Sequence, residues 1–325
     1  MAANVESMYY VNEDGSSRNV PWHGLGVSVE QAPTSADAIR LAGLDWKVNS
    51  MPIFANNQEI PGYRANIRET DGKCLGIVGN RYQIIQNKDA FDFTDALIGE
   101  GAKYETAGSL DGGKRIWMLA RLPETKILDD KVIPYLCFSN GHDGYYTIKA
   151  CMTPVRVVCQ NTLNFALDHA PRSWATRHVG DLTSKLDEAR HTLELANNYM
   201  TELAVTADKL ANTDVSEDEV RAILDNVYPV KEDDSDRRKA NVEEVKNQFM
   251  VCMLAPDILK FKGSAYQVAQ AAADFVDHVA PKRKADNYQE KNFGRILDGH
   301  VVLDKVFAQL MQKVATGKLI TSSTR

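Results

Sequence analysis

The spacing of apolar residues changes near Gly180, and this change constrains the fold more than any other feature of the chain. Before Gly180, short runs of apolar and β-branched residues lie between turns rich in Gly and Asn, which is typical of strands. After Gly180, apolar residues recur at steps of three and four, which is typical of amphipathic helices. We therefore predict an α+β fold, with an antiparallel strand-rich domain over residues 1–180 and a helical domain over residues 181–325.

In the first half, the pattern predicts strands and two or three short helices. Strands are expected at 46–54, 63–67, 74–78, 103–107, 115–122, 132–139, 145–158 and 172–179, and helices at 35–44, 87–98 and 161–167. The run from Gly108 to Lys114 matches the spacing of a phosphate-binding loop. The residues after it predict a strand, however, and not the helix whose N-terminus would face a phosphate. We therefore expect a hairpin turn there.

The second half begins with a predicted long helix over 182–211. Its apolar seam continues without a break for four heptads through Leu182, Leu186, Ala189, Leu193, Ala196, Met200, Leu203, Ala207 and Leu210. Such a seam either packs within the helical domain or pairs between copies of the chain, and both interpretations stay open. Ser216 and Glu219 form a capping-box pattern that predicts another helix, and further helices are expected over 242–253, 264–279 and 288–315.

The charge of the chain is unevenly distributed. The formal net charge is −6, yet the segment 214–236 alone holds nine carboxylates and two basic residues. The remainder is therefore close to neutral, so the total does not exclude a nucleic-acid partner. We expect no membrane contact and a cytoplasmic location, since there is neither an apolar run of about 20 residues nor a signal-peptide pattern at the N-terminus.

Catalytic and metal-binding signatures are weak. The sequence lacks paired-carboxylate, H-E-x-x-H, G-x-S-x-G and G-x-G-x-x-G patterns, so we expect a protein that is not an enzyme and needs no cofactor. Two thiols and two imidazoles occur in order at Cys151, Cys159, His169 and His178. Their spacing lacks the short knuckle of zinc sites, which favours buried, reduced cysteines instead.

The segment from Tyr145 to Val179 is the best candidate for function. It combines cations, aromatic rings and amides, and we predict that a nucleic-acid strand contacts Lys149, Arg156, Asn161, Arg172, Trp174, Arg177 and Tyr146. Cations neutralise phosphates, and flat rings stack on bases. An ordinary sheet with a polar outer face would show a similar composition, so the pattern alone leaves that alternative open.

Three runs of the sequence resemble a large family described as phage- and plasmid-related proteins. They are Pro21-Trp-His-Gly-Leu-Gly26, the run Gly76-Ile-Val-Gly-Asn-Arg-Tyr-Gln-Ile-Ile-Gln-Asn-Lys-Asp-Ala-Phe91, and Thr153-Pro-Val-Arg-Val-Val-Cys-Gln-Asn-Thr-Leu163. The order of strands followed by helices is similar to that of the phage single-strand annealing proteins of the Red-beta, RecT and Erf class.

This resemblance implies a non-catalytic protein that binds single-stranded DNA and anneals it, acting as a homo-oligomeric ring or filament. One alternative is a phage accessory protein whose helical region binds a host or virion protein. A metal-dependent nuclease is a third possibility, because its carboxylates could converge from distant positions in the sequence.

Overall fold

In the computed structural model of this protein, strands fill the first half and helices the second, which confirms the predicted α+β class. The structure describes residues 5–11, 27–29, 34–98, 103–156, 173–181, 184–185, 187–189, 196–280 and 299–319. The elements of the first half are β1 (Val5–Val11), β2 (Val27–Val29), α1 (Ser35–Leu41), β3 (Val48–Ala55), β4 (Gln58–Arg68), β5 (Cys74–Gly79), α2 (Asn87–Ile98), β6 (Lys103–Leu110), β7 (Arg115–Arg121), β8 (Thr125–Ile127), β9 (Asp130–Gly141), β10 (Ile148–Arg156) and β11 (Ser173–Thr176).

Eight strands form one large sheet in the order β11-β10-β9-β7-β6-β1-β2, with β8 paired to β9. Its pairs are antiparallel except for β1 and β2, which run parallel. A single 3₁₀ turn, Asp111–Gly113, connects the paired strands β6 and β7. The predicted hairpin therefore forms, and no helix follows the turn as it would in a phosphate-binding loop.

The two faces of the large sheet differ because side chains alternate along each strand. One face carries the apolar core: Met118, Phe138 and Ala150 lie side by side on β7, β9 and β10, and all three are buried. The opposite face is more polar. Cys137 and Cys151 lie directly opposite each other on that face, and both are buried.

The remaining strands, β3, β4 and β5, form a separate three-stranded antiparallel sheet. Asn66 and Val78 point from its inner face towards the rest of the protein and are buried. Its outer face carries Met51, Tyr63 and Ile77, which are 50%, 55% and 61% exposed. The small sheet is therefore covered on one side and presents an apolar surface on the other.

In the helical half, the structure gives bounds for the α-helices α3 (Ala196–Ala211), α4 (Glu217–Val227), α5 (Asp236–Cys252), α6 (Ala265–Asp274) and α7 (Val301–Thr316). The capping box at α4 forms as predicted, with Ser216 and Glu219 exchanging hydrogen bonds. Within the described part of the long heptad helix, Leu203 and Leu210 are buried in the chain's own core. Across the described ranges, no helix combines the length and the apolarity that a membrane crossing requires.

The two halves share one hydrophobic core. Phe138 of the large sheet and Phe249 of α5 belong to the same cluster of buried side chains. A salt bridge also joins the halves, since Nζ of Lys260 lies 2.7 Å from Oδ1 of the buried Asp130 at the start of β9. The division into domains 1–180 and 181–325 stays a prediction.

A buried amide in α6 leads to a prediction about stability. Gln270 is fully buried, and neither its Nε2 nor its Oε1 has a hydrogen-bond partner. Because an unsatisfied buried amide costs about 1–3 kcal/mol, we expect Gln270→Met to raise the free energy of unfolding by a similar amount. Urea unfolding would measure this change in the free energy of unfolding. Gln267 is the matched control, because both ends of its buried amide are hydrogen-bonded; Gln267→Met should destabilise.

Candidate nucleic-acid interface

The loop between β9 and β10 has a closely fixed backbone. Oδ1 of Asp143 accepts hydrogen bonds from the backbone N–H groups of Tyr145, at 2.8 Å, and Tyr146, at 3.1 Å. Gly144, between Asp143 and Tyr145, adopts a φ of 83°, a left-handed conformation that glycine tolerates best. An aspartate that holds two following N–H groups is a common way of fixing a tight turn.

Tyr146 anchors this loop to the polar face of the large sheet. The guanidinium of Arg115 lies 4.6 Å from the centre of the Tyr146 ring, within the range of a cation–π interaction. Arg115 is itself held by a hydrogen bond of 2.8 Å from Nε to Oγ of Ser139. The hydroxyl of Tyr146 donates to Oδ2 of Asp111 at 3.4 Å. Tyr146 is therefore engaged within the protein.

Two further contacts hold the loop against other parts of the protein. Gly76 of β5 lies so close to the backbone of Asp143 that a side chain at position 76 would collide with it. The hydroxyl of Tyr82 donates to the carbonyl oxygen of Gly141 at 2.7 Å, and its ring stacks on His178 with centroids 4.6 Å apart. The loop is thus fixed on several sides, yet the side chain of Tyr145 is 91% exposed.

Cations from four separate parts of the chain flank this loop. Lys114 is next to its start, since the Lys114 carbonyl oxygen accepts from the His142 N–H at 2.7 Å. The ammonium of Lys73 lies against Gly112, in the same turn as Asp111. Arg81 is next in sequence to Tyr82, and Arg177 is next to His178, the two residues whose rings stack beside the loop. We call Tyr145 together with these flanking cations, and with Lys185 beside Arg177, the Tyr145 surface; all are exposed except the half-buried Lys185.

Carboxylates near the Tyr145 surface are fewer and partly engaged. Asp143 accepts the two loop N–H groups described above, and Asp111 accepts from Tyr146. Asp71 lies beside Lys73 in the sequence but is paired with Arg68 at 2.6 Å. That ion pair and a backbone hydrogen bond lower the pKa of Asp71 to about 2. Asp181 is an exposed carboxylate close to Arg177 in the chain. Three of these four carboxylates are therefore engaged in hydrogen bonds or an ion pair within the protein.

The structure separates the site residues that the sequence placed together. Arg177 and Tyr146 lie at the Tyr145 surface, while Lys149 is half-buried on β10. Trp174 is only 7% exposed and packs in the core, because it lies opposite Ala150 and so shares the apolar face of the sheet. Its ring is not available to a strand at the surface. Asn161, Arg172 and the side chain of Arg156 lie outside the described residues, so these three stay predictions.

Sequence reasoning missed Tyr145 as the exposed ring, and it missed three of the flanking cations. The turn Asn140-Gly-His-Asp-Gly144 just before Tyr145 was a usable signal, because an aromatic residue at a tight turn is often exposed. No comparable signal linked Lys73, Arg81 and Lys114 to this loop, since pairing of distant strands brings them there. Of the four candidate zinc ligands, Cys159 and His169 lie outside the described residues.

Residues 74–296 match the model of a family described as a domain of unknown function, DUF932. The chain belongs to this family. The match begins at β5 and includes the Tyr145 loop and most of the helical half. No curated protein and no solved structure matches the chain. The family's description names no function, so the function has to be argued from the site itself.

Proposed function

We propose that this protein binds a single nucleic-acid strand at the Tyr145 surface and acts as a DNA-annealing protein of phage or mobile-element origin. The observation that carries the proposal is the Tyr145 ring, which is 91% exposed on a loop whose backbone is held by the protein. A flat ring held clear of the protein can stack on a base without rearrangement of its loop.

The surface supplies both interactions that a single strand needs. A base stacked on an aromatic side chain contributes about 1–3 kcal/mol, and the loop's fixed backbone means that little entropy is lost when it does so. Lys73, Arg81, Lys114 and Arg177 are exposed cations that suit a phosphate backbone. Neither interaction requires a particular base, so we expect binding with little sequence preference.

Annealing is supported by the resemblance to phage annealing proteins described above, which hold one strand and pair it with its complement. Such a reaction needs no nucleotide hydrolysis and no cofactor, because base pairing itself is favourable. In that class, several copies hold one strand as a ring or a filament. We therefore propose a homo-oligomer, either a ring or a filament, with single-stranded DNA as the principal partner.

Oligonucleotide binding tests the stacking part of this proposal. Tyr145→Ala should weaken binding of a fluorescein-labelled oligothymidine by about 5- to 100-fold, which corresponds to one lost stacking contact. Fluorescence anisotropy measures this. Tyr63→Ala is the matched control, because Tyr63 is also an exposed tyrosine, at 55%, but lies on the outer face of the small sheet. Equal affinity of Tyr145→Ala and the unmodified protein would refute the assignment.

Salt dependence tests the cations separately. The double variant Lys114→Ala/Arg177→Ala should weaken binding and reduce the slope of log K against log salt by about 1.4, at about 0.7 per phosphate contact on a single strand. The charge-matched control, Lys209→Ala/Lys305→Ala, removes two exposed lysines of the helical half. Its slope should match that of the unmodified protein.

An annealing assay with complementary strands, combined with particle sizing and repeated in EDTA, then separates annealing from metal-dependent degradation.

A protein partner is the second candidate function. The apolar outer face of the small sheet favours it, since Met51, Tyr63 and Ile77 are each at least half exposed there. The heptad helix is a weaker candidate for such contact, because its described seam is buried within the chain. Absence of any oligonucleotide binding would favour this second function over the first.

A further inference from the structure

The guanidinium of Arg115 is buried without an ion-pair partner. Arg115 begins β7 and is only 8% exposed. Arg68 is also buried, but it lies 2.6 Å from Asp71. Buried Asp130 likewise lies 2.7 Å from Lys260. In the ranges that the structure describes, no carboxylate lies within 4.0 Å of the Arg115 guanidinium. Buried charges are normally paired, so this one calls for a physical explanation.

Among the described residues, one acceptor reaches this guanidinium. Its Nε donates to Oγ of Ser139 at 2.8 Å. A guanidinium has five N–H groups, so the four on Nη1 and Nη2 have no acceptor in the described ranges. The Tyr146 ring, whose centre lies 4.6 Å away, attracts the cation but supplies no oxygen to these N–H groups. Asp111 contacts the hydroxyl of Tyr146 at 3.4 Å and lies beyond ion-pair distance of Arg115.

Gly141 on the neighbouring strand makes room for this arrangement. It lies directly opposite Arg115 on β9, so the two residues share one face of the large sheet. A Cβ at position 141 would lie 2.4 Å from Cβ of Tyr146 and 2.8 Å from its carbonyl oxygen. Any other residue there would therefore push Tyr146 away from Arg115. Ser139, two residues earlier on the same face, is 0% exposed and holds Nε. These neighbours fix the position of the guanidinium before any ligand binds.

Two lysines lie next to this position. Lys149 is directly opposite Ser139 on β10 and shares the face of the sheet that carries Arg115. Directly opposed residues have Cβ atoms about 4.5–5.5 Å apart, so Lys149 flanks the serine that Arg115 contacts. Lys114 precedes Arg115 in the chain and is exposed. An anion bound by Arg115 would therefore have further positive charge close by.

We infer that Arg115 binds a phosphate group through Nη1 and Nη2. A buried charge without a counter-charge is unfavourable, and an arginine cannot become neutral as a buried lysine can. A bound anion supplies the missing charge. The planar fork of a guanidinium donates two parallel hydrogen bonds to two oxygens of a phosphate or a carboxylate. A phosphate is favoured over a carboxylate, because it has further oxygens that Lys149 and Lys114 can neutralise as point charges.

A phosphate group has two possible sources, a nucleic-acid strand and a small phosphate-bearing solute. The site itself stands without the proposed function, whereas its assignment to a strand rests on that function. Tyr146, which contacts Arg115, directly follows Tyr145 in the loop. Base stacking on Tyr145 and phosphate binding at Arg115 would then use neighbouring residues of one loop. Because Arg115 is already held in place, its binding costs less side-chain entropy than binding by an exposed lysine.

Titration of the full chain with inorganic phosphate, in a buffer free of other oxyanions, tests the site by calorimetry. We expect one phosphate per chain. Arg115→Lys keeps the positive charge but removes the fork, so it should reduce phosphate affinity about tenfold or more. Arg121→Lys is the matched control. Arg121 lies on the same strand and the same face, but it is exposed and faces Glu105 at 4.0 Å. Its replacement should leave phosphate affinity unchanged.

Oligothymidine binding by the same variants identifies the source of the phosphate. If the phosphate belongs to a strand, Arg115→Lys should weaken oligothymidine binding by a similar factor in fluorescence anisotropy. If oligothymidine affinity is unchanged while phosphate affinity falls, the site holds a small phosphate-bearing solute. Complete absence of oligothymidine binding would refute the proposed function but not the phosphate site, which the phosphate titration tests separately.

A measurement on the unmodified chain keeps the inference testable if Arg115→Lys fails to fold. In ¹H–¹⁵N spectra of the guanidinium groups, phosphate should shift the Nε signal of Arg115, whose N–H bonds to Ser139, and leave that of Arg121 unchanged. Sodium chloride at equal ionic strength should shift neither, because chloride lacks paired oxygens. Absence of phosphate binding would refute the site. Phosphate binding that Arg115→Lys retains, or a shift confined to exposed arginines, would mean an adventitious ion only.

Discussion

Gly76→Ala is expected to lower the free energy of unfolding by about 2–3 kcal/mol, the cost of forcing a methyl group into a closely packed site. The methyl carbon would lie 2.7 Å from the carbonyl oxygen of Asp143 and 2.8 Å from its carbonyl carbon. These are backbone atoms and cannot rotate away as a side chain would. Either β5 or the Tyr145 loop has to move, and the hydrogen bonds that fix the loop are lost with it.

Gly79→Ala is the matched control on the same strand. Its methyl group would approach no atom closer than the carbonyl oxygen of Gly62, at 4.0 Å. We therefore expect a change within about 0.5 kcal/mol, as for most substitutions without such contacts. Urea unfolding of both variants measures the difference. Similar losses at the two positions would show that Gly76 is not pressed against the loop. Gly76→Ala should also weaken oligonucleotide binding, because it displaces Tyr145.

The sequence predicted the elements better than it predicted their ends. The strand predicted at 63–67 extends over Gln58–Arg68, because polar residues before it pair with β3. The turn between them uses Asn56 and Asn57, both at positive φ, which a two-residue hairpin requires. Helix α5 begins at Asp236 instead of residue 242, since Ser235 caps it by accepting from the Arg238 N–H. The charged run before residue 242 is therefore partly helical.

The candidate site was harder to predict, because side-chain direction matters as much as residue type. In the described parts of the segment 145–179, the aromatic residues have different surroundings. Trp174 faces the core, Tyr146 lies under Arg115, and Tyr145 faces solvent. A shift of one residue along the chain would change the surroundings of each of these three side chains. The cations Lys73 and Arg81 come from more than 60 residues earlier in the chain, so only the pairing of strands reveals them.

The motif run Gly76–Phe91 acquires a structural meaning that its sequence did not disclose. Gly76 allows β5 to approach the Tyr145 loop, and Tyr82 bonds to Gly141 within that loop. Gln83 and Asn87 then fix the tautomers of the two buried histidines. One short segment therefore positions both the candidate interface and the two buried histidines, His142 and His178. The loop and these two rings should respond together to changes in this segment.

Lowering the pH from 6.5 to 5 is expected to reduce the free energy of unfolding by about 3 kcal/mol through His142 and His178 together. An unfolded histidine has a pKa near 6.5, whereas burial lowers the pKa of His142 to about 3 and that of His178 to about 4. Between the unfolded pKa and the two folded pKa values, the histidines of the unfolded chain bind protons that those of the folded chain do not. The stabilisation is therefore complete above about pH 6.5 and falls as the pH falls.

Other charged groups near these rings do not change the sign. Asp143 raises the pKa of His178 and Lys185 lowers it, but burial is the largest cause for both rings. Beyond the Trp46 ring that packs on His142, Arg68 forms an ion pair with Asp71. The lowered pKa of Asp71 contributes stability that is lost only below its unfolded value of 3.8. The interval from pH 6.5 to 5 therefore reports mainly on the histidines.

Urea unfolding at several pH values measures this dependence. The double variant His142→Gln/His178→Asn retains the hydrogen bonds to Asn87 and Gln83 but has no titrating ring. Its stability should change little between pH 6.5 and 5, while the exposed-histidine control His278→Gln should keep the full slope. A slope that survives in the double variant would mean that other groups control the acid sensitivity, and that the two rings are not held neutral by burial.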